Sequence, residues 1–283
     1  MNVLSLFDGM SCGQIALNRA GIKYDNYFAS EIKKHAIEVT QHNYPNTIQL
    51  GDVTKVKAAD LPKIDLLIGG SPCQDFSIAN RERLGLKGQK SSLFYEYLRL
   101  LKECIPKYFL LENVSMNDYS LRQITQLLGA YPVNIDSYLV SGAYRNRYYW
   151  TNINQKEVGL FSELMPDIAT PKDKGIKFQD VLESGYTDKL KARSINTHNG
   201  NSEKNQANMY RRYKTTGMDN IVFLSPDFDW TKGVRFLTQT ELERLMTVPE
   251  GYTKILNVKK AHNLLGDGWT VDVIAHIFSH INK

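Results

Sequence analysis

Through its first half this chain repeats one alternation: a short β-branched or aromatic run, a helical pattern, then another short run. NVLSLF (2–7), YDNYFASE (24–31), TIQLGD (47–52), KIDLLIGG (63–70) and KYFLLENV (107–114) read as strands. Between them GQIALNRAG (13–21), IKKHAIEVTQHNY (32–44) and SSLFYEYLRLLKECI (91–105) read as helices. The first closes at Gly21, the second halts before Pro45, and the third sets Leu93, Tyr97, Leu100, Leu101 and Cys104 near helical spacing. Strands that alternate with helices of this length join as parallel neighbours through right-handed crossovers. The expectation is a doubly wound, Rossmann-like α/β fold whose ligands sit at the carboxyl ends of the strands. Asp8 and Gly9, Glu31, Asp52, Cys73 and Glu112 all fall at such ends.

The pattern fades after about residue 155. From 170 to 232 the chain is polar, rich in Asn and Lys and weakly periodic, with a helical look only in FQDVLESG (178–185). Helical patterns return in LTQTELERLMTVPEGYT and VKKAHNLLGDGWTVDVIAHIFSHI. The expected division is a catalytic and cofactor-binding domain over 1–155, a small target-recognition lobe over 156–233, and a segment over 234–283 that returns to the first domain. No apolar run reaches the ~18 residues of a membrane span and the N-terminus has no basic leader, so the expectation is a soluble, cytoplasmic protein. Cys12, Cys73 and Cys104 are too few and too scattered for a disulfide framework, and no Cys/His spacing suits zinc. A net charge of +5 is compatible with a nucleic-acid partner.

LFDGMSCG sets Gly9 and Gly13 between the first strand and its helix, a nucleotide-binding turn that is not GxGxxG. Glu31 stands where an acidic side chain takes ribose hydroxyls, and Asp52 where a carboxylate accepts from an adenine amino group. A turn without a phosphate fingerprint beside two carboxylates suits an adenosine ligand lacking phosphates, such as S-adenosylmethionine. The plain alternative is that the glycines turn the chain and the acids cap helices.

In GGSPCQDFS (69–77), Cys73 stands beyond its apolar strand and behind Pro72, either as a nucleophilic thiolate or as an inert, half-exposed thiol. Glu112 follows an apolar strand directly, where a carboxylate is costly unless hydrogen-bonded or functional. SGAYRNRYYW (141–150) places Arg145 and Arg147 two apart, hence on one face of a strand, facing either a substrate carbonyl or phosphate or simply solvent.

Taken in order, LFDGMSCGQIAL, GGSPCQDFS, FLLENV, YRNRYYW and the closing LTQTELERLMTVPEGYT…LLGDGWTVDVIAHIF resemble the motif series of DNA (cytosine-5) methyltransferases. The similarity covers roughly 1–155 and 234–281 and lies nearest the de novo vertebrate-type enzymes and the phage or bacterial orphan methyltransferases, relatives of the restriction-modification enzymes. It implies the S-adenosylmethionine-dependent methyltransferase fold. It also implies that the Cys73 thiolate adds to C6 of a flipped cytosine, that Glu112 holds or protonates N3, and that C5 then takes the methyl group. Asn113 would position the loop, while Arg147 and Arg145 would bind the cytosine carbonyl. For the cofactor the resemblance implies Phe7, Asp8, Gly9, Gly13, Glu31, Ile32, Asp52, Val53, Leu93, Asp267, Gly268 and Trp269. Two positions depart from the common pattern: Ala143 where a glutamine is frequent, and Gly266-Asp267 where Gly-Asn is frequent.

Arg81, Arg83 and Lys87 in the stretch after Cys73 read as DNA-facing. By elimination the lobe selects the DNA sequence, with Arg211, Arg212 and Lys214 offering phosphate contacts. The expected partner is double-stranded DNA, bound by a monomer or homodimer without a metal, in a bacterial or phage-infected host cell. Two other classes fit the same residues: a tRNA cytosine-5 methyltransferase, and a catalytically silent DNA-binding homologue.

Overall fold

The structure is a computed structural model and describes residues 1–71, 92–159, 163–195, 205–215 and 219–281. The chain runs β1 (Asn2–Leu6), α1 (Cys12–Arg19), β2 (Asn26–Ser30), α2 (Lys34–Asn43), β3 (Ile48–Gln49), β4 (Leu66–Gly70), α3 (Ser92–Cys104) and β5 (Tyr108–Val114). It continues α4 (Asp118–Leu128), β6 (Pro132–Asp136), β7 (Asn146–Thr151), β8 (Gln155–Val158) and β9 (Glu163–Pro166). The remaining elements are α5 (Gln206–Thr215), β10 (Val222–Phe223), β11 (Val234–Arg235), α6 (Gln239–Leu245), α7 (Val258–Asp267) and α8 (Val271–Phe278).

Seven strands form one sheet in the order β3-β2-β1-β4-β5-β7-β6. The five strands from β3 to β5 are parallel, and β7 is antiparallel to β5. The order reverses beside β1, which has β2 on one side and β4 on the other. A crevice opens at such a switch point, beyond the carboxyl ends of the strands. β1 and β4 are buried on both faces over most of their length, which explains their mostly apolar sequences. α3 lays Phe94, Tyr97 and Leu100, all fully buried, over Leu4, Leu6 and Leu67.

Two compact units divide the chain. One is Met1–Ile135 with Asn146–Thr170 and Ile274–Lys283; the other is Asp136–Arg145 with Pro171–Val273. The expected boundaries at 155 and 233 are therefore drawn differently: most of the segment after 233 is compact with 171–233, and 136–145 leaves the first unit for the second.

In the second unit α5 packs Met209 and Tyr213 against Ile221, Phe223 and Val234. The neighbouring Tyr210 stacks on Trp230, ring centroids 5.3 Å apart. α6 begins with a capping box between Thr238 and Glu241. The helical pattern expected over 178–185 condenses to a single 3-10 turn, Gln179–Val181. Among the described residues, no helix is long and apolar enough to cross a membrane, and no group of His, Cys, Asp and Glu is arranged to hold a metal ion.

Candidate active site

The turn after β1 is built from alternating left-handed residues: Phe7 at φ 57°, Gly9 at 61° and Ser11 at 60°. Glycine adopts this conformation freely, whereas a phenylalanine or serine needs support from its surroundings. Support comes from two carboxylates. Glu31 Oε2 accepts the Gly9 amide at 2.8 Å, while its Oε1 accepts the Ile32 and Lys33 amides, each at 2.8 Å. Asp8 Oδ1 accepts the Tyr27 hydroxyl at 2.8 Å, and its Oδ2 accepts the Ser11 hydroxyl. Burial pushes the Asp8 carboxyl up to about 6, opposed by hydrogen bonds from Ser11, Ser5 and Tyr27 and reinforced by the nearby Glu31 charge.

Gly13 has a separate role. A Cβ there would stand 2.5 Å from Ile68 Cδ1 and 2.6 Å from the Tyr27 hydroxyl, so only glycine lets α1 approach the sheet this closely. Phe7, Val53 and Leu93 belong to one apolar cluster. Asp52 caps the short turn that follows it, accepting the Thr54 amide at 3.0 Å and hydroxyl at 2.9 Å through Oδ1; these bonds hold its carboxyl below the usual range. Its Oδ2 has no partner among the described residues. Ile32 is 73% exposed and lies outside the core.

Two strands away, β4 and β5 set Gly70 beside Glu112. Asn113, 1% exposed, donates through Nδ2 to Ser71 Oγ at 3.2 Å and accepts the Val114 amide through Oδ1 at 2.8 Å. Across the antiparallel pair, Val114 opposes Arg147 and Glu112 opposes Tyr149, which makes Glu112 and Arg147 diagonal neighbours. Arg147 Nε lies 2.9 Å from Glu112 Oε1. A carboxylate near a strand end, a guanidinium paired with one of its oxygens, and an asparagine tied to Ser71 thus share one corner of the sheet.

The family model for the C-5 cytosine-specific DNA methylase matches residues 1–128, which carry both of these constellations except Arg147. Over those residues the chain is similar to that family. The chain is 33% identical over 199 residues to the type II methyltransferase M.NgoBV of Neisseria gonorrhoeae, covering 64% of this chain and 46% of that protein. It is 42% identical over 116 residues to the orphan methyltransferase M.Rho11sI of Bacillus phage rho11s, covering 40% of this chain and 23% of that protein. The chain thus spans about half the length, or less, of these relatives. The fold is that of a DNMT2 mutant from Spodoptera frugiperda, with a TM-score of 0.68 at 17% identity, over 100% of this chain and 99% of that one.

The sequence-expected residues divide by place. Phe7, Asp8, Gly9, Gly13, Glu31, Ile32, Asp52, Val53, Leu93, Glu112, Asn113 and Arg147 lie in the first compact unit. Cys73, Arg81, Arg83 and Lys87 lie outside the described residues. Asp267, Gly268 and Trp269 end α7 and follow it, in the second unit.

Arg145 and Arg147 do not share a strand face, because β7 begins only at Asn146. The Arg145 amide donates to Asp136 Oδ1 at 2.8 Å and its carbonyl accepts the Ser137 amide at 3.2 Å, bonds that bend the chain before the strand. Its guanidinium is 7% exposed as a residue and donates to Gly268 O at 2.8 Å, Gly266 O at 3.1 Å, Ser194 Oγ at 3.3 Å and Ile195 O at 3.4 Å. Of the expected DNA-facing residues on α5, Arg211 and Lys214 are exposed, whereas Arg212 pairs with the buried Asp219 at 3.0 Å.

Sequence reasoning passed over Ser71, Tyr27 and Lys191. Lys191, 8% exposed, donates to the carbonyls of Tyr138, Ser141 and Ile176 and so fastens the loop leading to Arg145. A lysine in a polar stretch carries no mark of such burial. Ser71, by contrast, stands directly before Pro72-Cys73 and had a positional signal.

Proposed function

We propose that this chain is an S-adenosylmethionine-dependent DNA (cytosine-5)-methyltransferase acting on a cytosine flipped out of duplex DNA. The observation that carries the reading is the Glu112–Arg147 pair beside Gly70, with Asn113 bonded to Ser71, the residue before Pro72-Cys73.

The turn residues fit the cofactor. Glu31 is fixed by three amides with its carboxylate facing the turn, Phe7, Val53 and Leu93 offer one apolar surface for an adenine, and Asp52 keeps an unshared oxygen for its amino group. When bound, the cofactor supplies an electrophilic methyl group on a sulfonium. Asp267, Gly268 and Trp269 are assigned to the same ligand by the family resemblance.

Cytosine C5 is too poor a nucleophile to take that methyl unaided. In the proposed reaction Cys73 Sγ, as thiolate, forms a bond to C6 and displaces electron density toward C5 and N3. Glu112 holds N3 in its protonated form, with Arg147 fixing the carboxylate and reaching the base carbonyl. C5 takes the methyl group, a base removes the C5 proton, and the electron pair returns to expel Cys73 from C6. The base must leave the duplex to be reached, at a cost of a few kcal/mol.

The test is transfer of labelled methyl from S-adenosylmethionine into duplex DNA, with tRNA as competitor and the Cys73→Ala enzyme alongside. Label in cytosine of duplex DNA that vanishes with the alanine enzyme is the expected result. Label in tRNA alone would assign the chain to RNA, and cofactor binding without transfer to either would mark a silent homologue.

A further inference from the structure

Some cations of the second compact unit are paired with carboxylates, Lys174 with Asp272 at 2.6 Å among them, while others, including Lys172, Lys177, Lys254, Lys259 and Lys260, have no such pairing among the described residues. Arg212 pairs with Asp219 at 3.0 Å, Lys232 with Asp227 at 2.5 Å, Arg235 with Glu241 at 2.7 Å and Arg244 with Glu250 at 2.8 Å. Lys189, Arg193, Arg211 and Lys214 have no such carboxylate among the described residues, and they gather about two tyrosines. Lys189 Nζ lies 4.5 Å from the Tyr213 ring centroid and Lys214 Nζ 5.8 Å from that of Tyr210, the two rings being 6.3 Å apart. Arg211 stands one helical turn from Lys214 on α5, and both are exposed.

The group is held in place by neutral contacts. Tyr210 stacks on Trp230, and Tyr213 is buried in the core of the unit. The Arg193 backbone is gripped on both sides by Asn220, whose Oδ1 accepts its amide and whose Nδ2 donates to its carbonyl, each at 2.9 Å. Asp188, the acid closest at hand, is hydrogen-bonded by the Tyr213 hydroxyl. Burial lowers the proton affinity of Lys189; Arg193 and Lys214 lower it further, and Asp188 only partly opposes them. Tyrosine ring faces offset part of this repulsion. A surface that collects like charges without carboxylates is neutralised by a polyanion.

We propose that Lys189, Arg193, Arg211 and Lys214 form a patch that binds the phosphodiester backbone of duplex DNA. This rests on the DNA reading above and deepens it. Contacts of this kind fix the register and orientation of a duplex and leave base discrimination to other residues. Arg212, which the sequence grouped with its neighbours, is outside the patch because Asp219 holds it.

The experiment is equilibrium binding of a fluorescent duplex by the full chain as a function of salt. Each neutralised phosphate contributes about 0.9 to the slope of log K against log[salt]. Replacing Lys189, Arg193, Arg211 or Lys214 singly by glutamine lowers the slope by about 1 each and weakens binding alike on all duplex sequences. Arg193→Lys and Arg211→Lys keep the slope, as does Lys232→Gln in a paired cation. S-adenosylmethionine affinity is unchanged throughout, which shows that the variants are folded. A quadruple glutamine variant with the wild-type slope would overturn the patch while leaving the methyltransferase reading intact. So would an equal loss from Lys232→Gln, or a loss seen with tRNA and not with duplex DNA. A wild-type chain that binds no duplex at all would instead overturn the DNA reading itself.

Discussion

Glu112 and Arg147 form a diagonal pair across β5 and β7, with 2.9 Å between Oε1 and Nε and side-chain exposures of 11% and 16%. Two nearly buried charges of opposite sign tolerate the loss of one partner poorly, because the survivor keeps its desolvation cost. Arg147→Gln is expected to destabilise the protein by about 2–3 kcal/mol in urea unfolding, less than a fully buried pair because some water reaches both groups. Glu112→Gln keeps the shape but leaves the Arg147 charge without its counter-ion. It should therefore also lose about 1–3 kcal/mol of stability, and single-turnover methyl transfer should fall by a factor of roughly 100 to 10,000. Unchanged methyl transfer in folded Glu112→Gln would show that the pair is structural only.

Asp8 makes the fold sensitive to pH. Its carboxyl titrates at about 6 in the folded protein and near the ordinary 3.8 when unfolded. Between those values the folded state holds the extra proton, so stability rises as pH falls from 6 toward 4 and is lost as pH climbs through 6. The span corresponds to at most about 3 kcal/mol. Asp8→Asn retains an acceptor for the Tyr27 hydroxyl and can donate to Ser11, so its thermal midpoint should be flatter than wild type between pH 4 and 6. An unchanged difference in midpoint between pH 4.5 and pH 7 would exclude Asp8 as its source.

Gly13→Ala places a methyl group against Ile68 Cδ1 and the Tyr27 hydroxyl, at 2.5 and 2.6 Å in the present arrangement. Overpacking of this kind costs about 1–3 kcal/mol. Relief by moving Tyr27 would also loosen its bond to Asp8 and with it the Phe7–Ser11 turn. The variant should melt lower and bind S-adenosylmethionine more weakly, as read by calorimetry. A variant that melts normally would show that α1 shifts freely on the sheet.

What could be read in advance followed from whether a signal was local. The strands β1, β4 and β5 announce themselves as mostly apolar runs because both faces are covered, and Asp8 and Glu112 stand out as acids at the ends of such runs. Helix α5 gave no such signal. Its side chains are mostly polar, and it is held by Tyr210 on Trp230 and Tyr213 among Ile221 and Phe223, contacts made with residues further along the chain. Helix α4 has a clear local frame, Asn117 capping the Ser120 amide and Gly129 at φ 62°, yet it was passed over because it follows the last expected strand. The position of the turn acids at strand ends was legible, but their grip on the turn through Gly9, Tyr27 and Ser11 depends on which strands lie side by side.

Arg145 shows most directly how spacing can mislead. Alternation along a strand predicts a shared face, but the bend imposed by Asp136 ends the pattern one residue too early, and the guanidinium instead holds Gly266, Gly268, Ser194 and Ile195. A planar fork reaches four acceptors in two segments; an ammonium on a single stem cannot. Arg145→Lys is therefore expected to leave carbonyls at the end of α7 without their donor, costing about 1–3 kcal/mol. Amide exchange near Gly268 should quicken more than exchange in the sheet strands β1 and β4, which Arg145 does not touch. Arg147→Lys, facing a single carboxylate oxygen, retains its point charge and should lose less stability. If the two lysine variants were equally stable and exchanged alike at Gly268, Arg145 would not be what holds the end of α7.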